Sequence, residues 1–306
     1  MRDCNNQRLA ATAILVTACM GLRAADSLPP AAPPSARHYS IQLHSLFTPQ
    51  TSVMGLFLKA RVAGGPTLRL LLDSGAQNIV LDKHAAAALN RQPIPTLDLV
   101  GFGSSAGSAR RLAPADIEID GLTLRACDIL AVDSRLLEGI DGVIPLAVFD
   151  NFLVRLDLHA KTLDLGPYPS DAPIADPAYS PARAEHRLLF LPGVVNGLHS
   201  GYLLLDTGAT YSALSLPAAR RTKDYRVTPT TVPLRGAGGD ADGFPLPAGI
   251  QFRVGSRTLS ADPAIAIDLS EFNRRYPFEI TGVVGFPALS RSVVTVDYRD
   301  GLIRIQ

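Results

Sequence analysis

Apolar positions along this chain come in short runs, broken every few residues by glycine, proline or aspartate. Residues 56–62 and 67–72 are apolar or alternating stretches separated by Gly64-Gly65-Pro66, which reads as strand, turn, strand. Residues 78–81 predict another short strand. Residues 83–90 contain a run of alanines and predict a short helix. Residues 117–132 read as a hairpin turning at Asp120-Gly121. Residues 145–151 suit a second short helix with Pro145 in its first turn, and 152–158 with 162–165 form a closing hairpin. The pattern predicts a mostly-β protein.

The same order then recurs. At an offset of 133, Leu56-Phe57-Leu58 matches Leu189-Phe190-Leu191, Val62 matches Val195, Gly64 matches Gly197 and Leu81 matches Leu214. At an offset of 140, Gly142-Val143-Ile144 matches Gly282-Val283-Val284, and Val154, Leu156 and Asp157 match Val294, Val296 and Asp297. The second half therefore carries about seven extra residues between these landmarks, the mark of a duplication followed by a loop insertion. Asp157 and Asp297 sit at terminal hairpins, where a structural role is expected.

Each copy holds an apolar strand that runs into Asp, a hydroxyl residue, Gly and Ala: Leu70-Leu71-Leu72-Asp73-Ser74-Gly75-Ala76 and Leu203-Leu204-Leu205-Asp206-Thr207-Gly208-Ala209. Two such turns facing each other would set two carboxylates against one water. Two carboxyls that close cannot both ionise cheaply, so they share a proton, and the pair can act as base and acid at once. One Asp-Ser/Thr-Gly tripeptide means little; two, in equivalent places of a duplicated unit, are specific.

On these residues the chain resembles the aspartic peptidases of the pepsin/retropepsin clan, over roughly residues 50 to 306. Alanine after each Gly, with compact lobes, resembles the retropepsins more than pepsin, but with both lobes on one chain. The resemblance implies a bilobed acid-protease fold with a catalytic cleft between two homologous lobes. It implies Asp73 and Asp206 as catalytic, with Ser74, Gly75, Ala76, Thr207, Gly208 and Ala209 as the supporting turns. It also implies substrate flaps, for which Gly101, Phe102 and Gly103 in the first half and Gly236, Gly238 and Gly239 in the second are the candidates; glycine-dense mobile loops are the alternative. One departure stands out: Pro145 follows Val143-Ile144, where the second copy has Gly285.

Composition narrows the picture. Hydrophobic residues make up 47% of the 306 and charged residues 19%, enough for a packed core. The formal net charge of +1, without a basic run, gives no footprint for nucleic acid. The six histidines are scattered and no cysteines are paired in spacing, so neither metal nor other cofactor is expected. Arg2 and Arg8 precede a short apolar run, 9–16, which reads as a signal peptide. Val16-Thr17-Ala18-Cys19 resembles a bacterial lipoprotein processing site, making Cys19 the lipidation candidate; an ordinary signal cut near Ala24 or Ala25 is the other reading. Cys127 lies in an apolar run and is expected to be a buried structural thiol.

The expected organisation is a signal at 1–18, an Ala/Pro-rich tether at 19–37, an N-terminal lobe at 38–170, a linker at 171–185 and a C-terminal lobe at 186–306. The expected function is that of an exported, lipid-anchored, monomeric aspartic endopeptidase of the cell envelope, acting on peptide or protein substrates. A catalytically inactive peptide- or partner-binding envelope protein on the same fold is the alternative.

Overall fold

Alternating apolar strands with buried side chains on both faces have to stack in layers, and here they build two lobes around a shared sheet. The computed structural model describes residues 13–14, 37–47, 52–90, 93–99, 107–133, 138–169, 171–222, 231–236 and 239–306. The first lobe is an eight-stranded sheet in the order His44–Phe47, Val53–Val62, Thr67–Asp73, Gly142–Pro145, Ile79–Leu81, Leu122–Val132, Gly107–Ile119 and Pro93–Leu99. Val53–Val62 also pairs with Gly107–Ile119, which curls the sheet back on itself. The second lobe repeats this plan with Leu188–Val195, His199–Asp206, Ile280–Gly285, Ser212–Ser215 and Ala264–Ile267 at its heart.

The predicted helix at 83–90 is present as Lys83–Ala88, where Asp82 accepts from the His84 and Ala85 amides. Its counterpart Leu216–Arg220 is capped by Ser215, which accepts from the Ala218 amide, so the duplication extends to the cap. The helix expected over 145–151 is shorter and tighter, a 3₁₀ turn at Leu146–Phe149. Pro145 is not inside it; it ends the preceding strand and stands at the position just before the turn, making no side-chain capping bond.

The third layer joins the lobes. Its six strands run in the order Ser180–Pro181, Leu302–Ile305, Val293–Asp297, Leu153–Asp157, Thr162–Gly166 and Tyr39–Gln42. At the middle, Val154 pairs with Val296, Arg155 with Thr295 and Leu156 with Val294. At the 140-residue offset, Arg155 faces its own counterpart Thr295, so the approximate two-fold axis of the duplication passes between them. Beside it, the Asp157 carboxylate accepts from the Ala160 amide and that of Asp297 from the Asp300 amide, pinning equivalent hairpin turns. One apolar core runs through both lobes and this sheet.

The segment 171–185 is not a free linker. Ser180–Pro181 pairs with Leu302–Ile305, and Arg183–Glu185 forms a hairpin with Leu188–Val195. Cys127 is buried and unpaired, and burial pushes its thiol up to about 12, which makes it inert at neutral pH. Among the described residues no helix is long and apolar enough to cross a membrane.

Candidate active site

Each Asp turn sits where its own strand meets a returning strand from the same lobe. Gly142–Pro145 lies parallel to Thr67–Asp73, with Pro145 opposite Asp73; Ile280–Gly285 lies parallel to His199–Asp206, with Gly285 opposite Asp206. These are the repeated Gly-Val-Ile and Gly-Val-Val segments of the sequence. Wedging them beside the Asp strands fixes where the carboxyls emerge.

The two turns are locked together by four crossed hydrogen bonds. The Ser74 hydroxyl donates to the Leu205 carbonyl at 2.9 Å and accepts from the Thr207 amide at 3.0 Å. The Thr207 hydroxyl donates to the Leu72 carbonyl at 2.8 Å and accepts from the Ser74 amide at 3.0 Å. All these groups are buried, so losing one hydroxyl strands a buried carbonyl and a buried amide at about 1–3 kcal/mol each. A hydroxyl is needed at both positions because each must donate and accept at once.

The glycines show how close the carboxyls are. A Cβ built on Gly75 would lie 2.5 Å from Asp206 Cγ, and one on Gly208 would lie 2.5 Å from Asp73 Cγ. Each carboxyl thus rests on the bare backbone of the opposite turn, and any side chain there would push the pair apart. Each also accepts from its own turn: Asp73 Oδ1 from the Gly75 amide at 2.7 Å, Asp206 Oδ1 from the Gly208 amide at 3.0 Å.

Both carboxyls are fully buried. Desolvation and the neighbouring Asp206 charge hold the Asp73 carboxyl well above the ordinary carboxylate range, against the Gly75 and Ala76 amides that pull the other way. Asp73 Oδ2 is buried and takes no hydrogen bond from a protein donor. A proton shared with Asp206 would supply that donor. The arrangement can therefore hold one proton on the pair while leaving one negative charge to attract another.

The structure brings the turn residues Asp73, Ser74 and Gly75 against Asp206, Thr207 and Gly208, with Ala76 and Ala209 each closing its turn through an amide hydrogen bond to its own Asp carbonyl. Gly236 and Gly239 pair with each other where the strands Val232–Gly236 and Gly239–Pro245 meet. In the first lobe, Leu99 pairs with Gly107 near the end of the equivalent hairpin. Gly101, Phe102, Gly103, Gly238 and Cys19 lie outside the described residues. Among the described residues no group of three or more His, Cys, Asp or Glu is gathered to hold a metal ion.

Known proteins resemble the chain at two levels, a family motif in the first lobe and the fold as a whole. Residues 58–146, within the first lobe, match the family described as Aspartyl protease. A sequence comparison with curated proteins finds no match. The crystal structure of an aspartic proteinase from Irpex lacteus superposes with a TM-score of 0.57 at 13% identity, covering 88% of this chain and 97% of that one. The chain has the fold of the pepsin/retropepsin aspartic peptidases. Within that fold, the paired Asp turns occupy the centre of the two-lobed body.

One participant was not singled out by the sequence. An Arg187 guanidinium N–H donates to the Gln77 carbonyl at 3.4 Å, reaching from the second lobe into the Asp73 turn of the first. The available signal was a break in the duplication: at the 133 offset, Arg187 corresponds to Met54.

Proposed function

We propose that this protein is an aspartic endopeptidase that hydrolyses peptide bonds by activating a water between Asp73 and Asp206. The observation that carries the reading is the contact of each carboxyl with the opposite turn's glycine, which leaves the pair close enough to share one proton. The ionised member takes a proton from the attacking water. The protonated member donates to the scissile carbonyl, so no additional group is needed for either transfer. Burial strengthens both steps, because the charge that develops on the carbonyl oxygen is not screened by solvent. The crossed Ser74 and Thr207 bonds keep the two carboxyls in register through the cycle.

The test is direct. Purified protein is incubated with a diverse peptide pool and cuts are mapped by mass spectrometry, at several pH values from acid to neutral. Wild type is expected to cut within peptides, while Asp206→Asn is expected to cut none yet melt cooperatively. A statine-type transition-state mimic should bind wild type tightly and the variant weakly. Equal activity in Asp206→Asn would sink the dyad. A folded wild type that neither cuts nor binds the mimic would leave the fold as a binding module.

A further inference from the structure

We propose that Arg187 is a positioning residue that holds the Asp73 turn from across the lobe boundary, through the Gln77 carbonyl. The inference rests on the peptidase reading and adds to it a part that the duplicated motif does not contain.

Three observations converge. The first is the bond itself: Gln77 follows the Asp73-Ser74-Gly75-Ala76 turn and is 7% exposed, and its carbonyl accepts from the half-buried Arg187 guanidinium. That bond holds the backbone immediately after the turn. The second is backbone conformation. Glu185 pairs with Leu188, so His186-Arg187 is a two-residue hairpin loop. Both residues are left-handed, with φ of +49° and +70°. Loops of this kind favour Asn-Gly, because only small or self-bonding residues enter that region cheaply. Here two bulky side chains stand there instead. Backbone strain of this sort clusters at functional sites, where a particular side chain is worth its conformational cost.

The third observation is what the two side chains do from that loop. The His186 ring lies 6.1 Å from the Tyr276 ring, on the segment by which the second lobe is longer than the first. Arg187 reaches across to the Gln77 carbonyl. The loop is thus clasped on one side by its own lobe and on the other holds the neighbouring lobe's turn. The relationship is one-sided. Met54, the counterpart of Arg187, packs among Leu46, Leu71, Ala76, Ile140 and Val143 and carries no donor for the second turn. The bond to Gln77 therefore has no arginine counterpart at the equivalent place in the duplication.

Arg187→Gly removes the side chain and the left-handed strain together, and Arg187→Lys keeps the charge with a single, less directional head. With a peptide that wild type cleaves, Arg187→Gly is expected to lower kcat at least about tenfold with KM within about twofold, because substrate still binds while the turn is misaligned. Its melting temperature should match or exceed wild type. Arg187→Lys should recover part of the lost kcat. Wild-type kcat in Arg187→Gly would overturn the proposal, as would parallel loss of kcat and melting temperature in both variants. If wild type itself cleaves nothing, the peptidase reading fails first and separately.

Discussion

Pro145 and Gly285 occupy equivalent places beside the two aspartates and are not interchangeable. In the second lobe the Gly285 amide donates to the Ser212 hydroxyl at 3.3 Å, and a Cβ at Gly285 would lie 2.3 Å from the Tyr211 carbonyl oxygen. In the first lobe Ile79 stands where Ser212 does, with no hydroxyl to accept, and proline has no amide to donate. Donor and acceptor vanish together, so neither lobe is left with an orphan. Read from sequence alone, Pro145 was a departure from the pattern; its partner Ile79 could be recognised only once the strands were paired. The aspartates themselves were legible because the same strand-Asp-hydroxyl-Gly-Ala motif recurs at a fixed offset of 133. Their environment yields a prediction with a definite sign. Asp73 binds its proton more tightly folded than unfolded, so it stabilises the fold at low pH, and that contribution is lost as pH rises above the ordinary carboxylate range. Asp73→Asn keeps the shape and removes this titration. Its stability relative to wild type should therefore rise between mildly acidic and neutral pH, measured by denaturant unfolding across that range. A difference independent of pH would show that Asp73 titrates normally.

Between elements, the informative difference is where the halves diverge in length. The offset between equivalent residues is 133 at Leu81/Leu214, 135 at Ala131/Ala266 and 140 at Gly142/Gly282. Most of the extra chain therefore enters between the strand Ala264–Ile267 and the strand Ile280–Gly285. That stretch holds the short helix Ser270–Asn273 and three aromatic residues, Phe272, Tyr276 and Phe278. They close over Phe190, whose ring lies 4.7 Å from Tyr276 and 5.1 Å from Phe278, while Arg183 stacks on Phe278 at 4.6 Å. The cluster also includes Ala209 of the second Asp turn. Phe272→Ala is expected to cost about 3–5 kcal/mol in denaturant unfolding, since the ring is buried among others that cannot refill its volume. A loss below about 1 kcal/mol would mean that the segment is a loosely attached loop rather than core. The count of extra residues was readable in the sequence; their place was not, because only strand pairing says where each half resumes its register. The two- and three-residue strands inside 171–185 escaped for a related reason. So short a piece is strand by virtue of its partner rather than its own pattern.

Across the whole molecule, the site belongs to neither lobe. The crossed hydroxyl bonds give each Asp turn two acceptors and two donors from the other lobe. Beneath them the pairing of Leu153–Asp157 with Val293–Asp297 makes the central sheet continuous. A fragment holding residues 38–170 would lose both sets of partners at once, leaving the Leu153–Asp157 edge bare and the Leu72 carbonyl and Ser74 amide unpaired in what had been core. The obvious remedy, pairing with a second copy of itself, is blocked by sequence. At the two-fold axis Arg155 faces Thr295, and in a homodimer it would face another Arg155; like charges directly opposed on an antiparallel pair destabilise it. Arg155 has its own partners, Asp164 at 2.9 Å and Asp157 at 3.3 Å, but these are half-exposed contacts worth little against a lost sheet. The fragment should therefore show no cooperative thermal transition and no defined dimer in sedimentation, whereas residues 38–306 should unfold in one step. Arg155→Thr, which matches the second lobe's residue, should shift the fragment towards a dimer. A monomeric 38–170 fragment with its own sharp transition would show that the lobes are independent and that the shared sheet only docks them.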